Sequence, residues 1–208
     1  MKQVQSLNLA ALVPGRSPCV NCGMTAWTRP GPPDAVRRFE SRIIHQIAVS
    51  RNSFLNRAGA PLVSLHSVHC GSLKVGALDG HGVEQVMGFA LPGDLVGLDA
   101  IARGSYATDS VALEDSRVCS VPLDELERLC RASPEVQRKL SCNLSEMITH
   151  GHRHVMMLAR MSAEERVALF LSSLSVRYAA KGYSATLFRL PMSRTELGSY
   201  LGLQLETV

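Results

Sequence analysis

The spacing of apolar and polar positions divides the chain into three stretches. Over residues 1–36 no period is sustained: Pro14, Gly15, Pro18, Pro30, Gly31, Pro32 and Pro33 interrupt the apolar runs, which predicts an irregular segment. Residues 37–48, with Phe39, Ile43, Ile44 and Ile47 among charged neighbours, predict a short amphipathic helix. From about 54 to 122 the runs shorten and alternate. Leu62–His69, Leu73–Leu78 and Val83–Phe89 predict strands, and Asp79-Gly-His-Gly82 predicts a hairpin turn. Pro92-Gly-Asp94 marks another turn, and Ser110–Val121 predicts a further strand pair. Short strands between regular turns predict a β-barrel or jelly roll.

The last stretch is helical. Ser133-Pro134-Glu135 supplies an N-cap residue, a proline at the first helical position and an acid in the first turn. Val136, Leu140, Leu144, Met147/Ile148, Gly151, Val155 and Leu158 then recur at steps of three and four. Such a stripe suits a helix packed on its own domain or a two-helix seam. Its length and narrowness favour a dimer interface of Leu140, Leu144, Ile148, Gly151 and Val155. Ser162-Ala-Glu-Glu165 is a capping box opening a helix that carries Val167, Leu169, Phe170, Leu171, Leu174 and Tyr178 and ends at Lys181-Gly182. Leu187–Leu190 predicts a short strand.

Ser193-Arg-Thr-Glu196 is a second capping box. Leu197, Tyr200 and Leu201 give the helix it opens one apolar face. Gly202 provides a turn, Leu203 a buried corner, and Gln204-Leu-Glu-Thr207 the opening of another helix. This is the pattern of a helix-turn-helix, whose second helix presents its first residues to base edges in the major groove. Here about one turn of that helix precedes Val208, so operator affinity is expected to be weaker than with the whole motif. The fold class expected is α+β, in four parts: a cysteine-bearing segment (1–36), a sensory β-roll (37–132), a dimerisation helix (133–160) and a partial winged helix-turn-helix (161–208).

Net charge is +4, which suits a nucleic-acid partner without demanding one. No apolar run approaches the roughly 18 residues of a membrane span, so no membrane partner and a cytoplasmic location are expected. Six cysteines without a secretory signal argue for metal or redox use of some of them over a disulfide framework. Cys19-Val-Asn-Cys22 has ligand spacing. Zinc held by this pair with His66 and His69 is disfavoured, because an odd separation on a strand turns the histidines to opposite faces. His150, His152 and His154 alternate along the long helix and do not face one another as a set. No nucleophile–base motif, phosphate loop or paired-carboxylate signature suggests an enzyme.

Met87–Ile101, Ser116-Arg-Val-Cys-Ser-Val-Pro122, Ala163-Glu-Glu-Arg166 and Phe188–Leu203 together resemble the Crp/Fnr family of bacterial transcription regulators. The similarity is greatest to the oxygen-sensing fumarate and nitrate reduction regulators, and runs from about residue 40 to the end. The resemblance implies a homodimer with a cyclic-nucleotide-binding-like jelly roll, DNA and RNA polymerase as partners, and a [4Fe–4S] cluster. Of the family's C-x2-C-x5-C plus a distant fourth cysteine, Cys19, Cys22 and Cys119 match; the third position falls near Thr28. The remaining ligand is then open between Cys70, an Asp such as Asp34, and a His. No cyclic nucleotide is expected: where relatives that bind it carry a Glu and an Arg, this chain has Leu98 and Thr108/Asp109. Gly151 aligns with an interfacial aspartate of the oxygen-sensing branch, so dimerisation without a cofactor is expected. Glu206 matches a glutamate used on a cytosine amino group, with Thr207 beside it, and Ser193 and Arg194 are candidates for phosphate contacts. The competing reading is a sensor or dimerisation module that binds no DNA and acts through heterodimers.

Overall fold

The computed structural model describes residues 45–208; expectations for the segment before them, including Cys19, Cys22, Thr28 and Asp34, lie outside the described residues. Among the described residues eight strands form two antiparallel four-stranded sheets: β1 (His45–Val49), β2 (Phe54–Asn56), β3 (Ser64–Cys70), β4 (Leu73–Leu78), β5 (Glu84–Ala90), β6 (Leu95–Val96), β7 (Asp109–Ala112) and β8 (Ser116–Pro122). The strand orders are β1-β8-β3-β6 and β2-β7-β4-β5. Val49, Val68, Leu73, Ala90, Val96, Ala112 and Val118 fill the space between the sheets. This is the expected β-roll.

Three local expectations are corrected. Where the helix expected over 37–48 enters the described residues, His45–Val49 is instead a strand, which pairs residue for residue with β8 from His45↔Ser120 to Val49↔Ser116. Tertiary pairing outweighs a weak helical spacing. Ser110–Val121 does not form a hairpin: β7 lies between β2 and β4, whereas β8 lies between β1 and β3. The Leu113–Asp115 turn carries the chain from one sheet to the other, because both strands have apolar residues to bury in the sandwich. Leu187–Leu190 finds no partner strand and is not a ladder element.

The turns follow their sequence. Asp79 Oδ1 accepts from the His81 and Val83 amides at 2.8 and 2.9 Å, an Asx-type closure of the β4–β5 hairpin.

Four α-helices follow: α1 (Leu123–Ala132), α2 (Pro134–Arg160), α3 (Ala163–Ala180) and α4 (Arg194–Leu201). A helical period at Leu123, Leu126, Leu129 and Cys130 marks α1, which the expectations above left out, and Leu126 is buried. Pro134 starts α2 after Ser133, although the Ser133 side chain makes no capping hydrogen bond. Both capping boxes form in full, at Ser162/Glu165 and at Ser193/Glu196.

Two further cores hold the helices. Leu65, Cys119 and Val121 on the outer face of the first sheet pack with Leu126 and Val136, and Leu140 and Leu144 close over them. At the other end, Phe89, Leu113, Met157, Phe170, Leu174, Met192, Leu197 and Tyr200 join β5, α2, α3 and α4.

Candidate nucleic-acid interface and sensor face

The helix-turn-helix geometry begins at Ser193. Its Oγ accepts from the Glu196 amide at 3.2 Å, while Glu196 Oε2 accepts from the Ser193 amide at 2.7 Å. The Ser193 hydroxyl is therefore part of the cap, and Arg194 and Thr195 stand exposed beside it. Glu196 also takes Lys74 at 3.2 Å. Burial pushes the Glu196 carboxyl up, but the Ser193 groups and the Lys74 ammonium outweigh it and hold the carboxyl below its usual range. Burial likewise pulls Lys74 down, and Glu84 and Glu196 reverse this and raise it.

Two glycines shape the turn after α4. Gly202 is left-handed at φ 63° and ψ 42° and caps the helix. Gly198 lets the turn approach: a Cβ there would stand 2.7 Å from the Leu203 carbonyl oxygen. Leu203 is half-buried and Val208 packs into the same core, while Leu205 remains 50% exposed. Gln204–Val208 forms a hydrogen-bonded turn, with the Gln204 carbonyl accepting from Thr207 at 3.1 Å and Val208 at 3.3 Å. Glu206 and Thr207 are exposed on it.

Helix α4 is docked on β5, the edge strand of its sheet. The Val86 amide donates to Ser199 Oγ at 2.9 Å, and Gln85 Nε2 donates to the Ser199 carbonyl at 2.5 Å. Tyr200 packs against Phe89, Phe170 and His154, with ring centroids 5.3, 5.6 and 4.4 Å away. Arg166 ties the helix ends: its guanidinium donates to the Leu158 and Leu201 carbonyls at 2.8 and 2.9 Å, where α2 and α4 have unsatisfied acceptors.

The expected dimer seam divides in two. Leu140 and Leu144 are half-buried against the chain's own β-roll core. Ile148 and Val155 are 57% and 64% exposed, and the space around Gly151 is open. An exposed apolar stripe thus remains on the C-terminal half of α2.

On the sensor side, Cys119 is fully buried in β8 and pairs with Ser67. Cys70 pairs with Arg117 after a register shift between Val68 and Cys70. Because paired residues share a face and faces alternate along a strand, the bulge returns Cys70 to the face of Cys119. Sequence spacing alone does not reveal this. The bulge also breaks the simple alternation used to separate His66 from His69. His66 is 7% exposed, its Nδ1 has no partner, and burial lowers its pKa to about 4. Among the described residues no group of three or more His, Cys, Asp or Glu gathers in a metal-binding arrangement. In the segment aligned with cyclic-nucleotide contacts, Asp99 accepts from Thr108 Oγ1 at 3.0 Å and Asp109 from the Ala58 amide at 2.7 Å. Both carboxylates are used within the chain. Among the described residues no helix is long and apolar enough to cross a membrane.

Residues 46–133 match the cyclic nucleotide-binding domain family. The chain is 40% identical over 190 residues to the transcriptional regulatory protein btr of Bordetella pertussis, covering 91% of this chain and 76% of that protein. It is 40% identical over 160 residues to the anaerobic regulatory protein of Pasteurella multocida, covering 77% of this chain and 59% of that protein. FixK2 from Bradyrhizobium japonicum superposes with a TM-score of 0.73 at 30% identity, over 79% of this chain and 80% of that one. The chain therefore spans about three fifths to three quarters of the length of the two sequence relatives. Identity of this extent, with the β-roll, the long helix and the capped helix-turn of α4 in the same order, shows that the chain belongs to the Crp/Fnr family of transcription regulators.

Proposed function

We propose that this chain is an oxygen- or redox-responsive transcription regulator of the cytoplasm that dimerises along α2 and reads duplex DNA from the turn after α4. The observation that carries this reading is the capped helix and its two-glycine turn, which leave Arg194, Glu206 and Thr207 exposed while the apolar side of α4 is buried. Glu206 suits the exocyclic amine of a cytosine. Arg194 suits backbone phosphates, with Ser193 reaching them only at the expense of its cap. The dimer surface is the exposed part of the seam around Ile148, Gly151 and Val155, with Leu140 and Leu144 at its inner edge. RNA polymerase is the further partner that family membership suggests. The parts read as 37–132, 133–160 and 161–208 correspond to sensing, dimerisation and DNA reading.

The name of the Pasteurella relative supports an oxygen-linked signal. A [4Fe–4S] cluster fits the donors available in chemistry, since iron–sulfur clusters take thiolates. Cys19, Cys22 and Cys119 would hold it with Cys70, which shares the face of Cys119. When bound, such a cluster supplies sensitivity to oxidants. The residues of the chain then provide burial around Cys119 and a rigid strand beneath it.

Binding isotherms at matched salt test the DNA reading. The chain is expected to prefer its operator over a scrambled duplex, and Glu206→Ala to lose about 1–3 kcal/mol of discrimination at one base pair. Equal affinity for both duplexes, falling steeply with salt as backbone contacts do, would leave the non-DNA-binding sensor module as the better reading.

A further inference from the structure

A cavity of about 270 Å³ lies where α2, α3, α4 and β5 meet. It is separate from the cysteine face, the dimer stripe and the DNA-reading turn. Its floor is aromatic: Phe89, Phe170 and Tyr200 pack edge-on and tilted, with centroids 5.3–5.8 Å apart. Its rim is basic, with Arg153 and His150 from α2 and Arg177 from α3.

The charges at the rim do not cancel. Arg177 is ion-paired with Asp94 and also donates to the Phe89 carbonyl. Burial, and then Arg177, lowers His150; burial, and then His150, lowers His154. Both imidazoles are therefore held towards the neutral form. Arg153 has no hydrogen bond or ion pair among the described residues, and it is exposed at the mouth. One uncompensated guanidinium above an aromatic floor remains.

We propose that this cavity is a binding site for a small, flat, singly charged anion, of the class of aromatic carboxylates and sulfonates. The ring of such a ligand would lie against Phe89 and Tyr200, where aromatic surfaces attract one another beyond their burial. Its anionic group would meet Arg153, whose fork-shaped donors match a carboxylate. The volume is near the lower end for small-molecule sites, which restricts the ligand to about three rings. At 3.6 residues per turn, His150 and Arg153 lie roughly 150°, and His154 roughly 110°, around α2 from Ile148 and Val155. A dimer formed along that stripe leaves the mouth uncovered. A ligand here touches the dimer helix, the first helix of the DNA-reading motif and the β-roll at once.

The test uses 1-anilinonaphthalene-8-sulfonate, an aromatic monoanion, and its uncharged counterpart N-phenyl-1-naphthylamine, read by fluorescence on the full chain. The sulfonate should bind saturably at one site per chain. Arg153→Gln should weaken it about tenfold, the scale of one charge-assisted hydrogen bond, and leave the uncharged dye unchanged. Ser173→Trp, at an exposed position on the mouth, should abolish sulfonate binding while circular dichroism and melting stay those of the parent chain. Binding indifferent to both substitutions, or lost instead in Ile148→Ser, would overturn the proposal and place the dye on the exposed stripe. If Ser173→Trp unfolds the chain, Arg153→Gln and the two-dye comparison still decide.

Discussion

His66 lies in β3 with 7% of its surface exposed and no partner for Nδ1. Burial alone lowers its pKa from 6.5 to about 4. The sign of the consequence follows directly. In the folded chain the ring stays neutral, whereas the unfolded chain takes up a proton once pH falls below its ordinary value. The stability this residue permits is thus intact above about pH 6.5 and is lost progressively towards pH 4, with a slope approaching about 1.4 kcal/mol per pH unit. Urea unfolding between pH 7 and 4.5 should show that slope in the parent chain and a smaller one in His66→Leu. Parallel curves for the two proteins would refute the assignment.

Helix α2 serves two environments along its length. Val136, Leu140 and Leu144 close the core beside the β-roll, and Met157 and Leu158 enter the core around Tyr200. Between these ends Ile148 and Val155 remain largely exposed. Apolar side chains at this spacing on an otherwise polar helix make a stripe that a second helix can cover. The chain is expected to be a dimer with or without oxygen, because Gly151 places no charge in the stripe. Ile148→Glu should yield a folded monomer by sedimentation at micromolar concentration, since the buried carboxylate would lack a partner. A parent chain that is monomeric in both atmospheres, or a variant that stays dimeric, would contradict this use of α2.

At the scale of the molecule, β5 and β8 are the strands on which, in the function proposed, signal and response would converge. β8 carries Cys119 against the α1–α2 core. β5 carries α4 through Ser199, the Lys74–Glu84–Glu196 ion pairs at 2.7 and 3.2 Å, and the ring cluster. Both ends of α2 touch these contacts, and the function proposed uses this continuity to link Cys119 with the DNA-reading end. Anaerobic reconstitution of the full chain should therefore yield bound iron and sulfide with broad visible absorption. Cys119→Ser should remove it, Cys70→Ala should lower the iron content, and Cys130→Ala should not. A colourless, iron-free protein would exclude the cluster and leave a thiol or cofactor-free sensor.

Local chemistry determined much of this protein. The two capping boxes, the Asp79 hairpin, the Gly202 turn and the period of α2 each follow from interactions within a few residues, and each is found where its residues stand. Family resemblance made the overall plan legible, and the position of Cys119 on a β-roll strand with it. What sequence could not supply depends on partners distant in the chain. His45–Val49 became a strand because β8 lay beside it. Leu187–Leu190 did not, because no strand lies paired beside it. The bulge that brings Cys70 to the face of Cys119 arises in the pairing of β3 with β8. The apolar period of α2 identified a stripe but not which part faces the chain's own core. Only the tertiary structure decided that, because burial is a property of what packs opposite a residue, and spacing along one helix contains no information about the opposing surface.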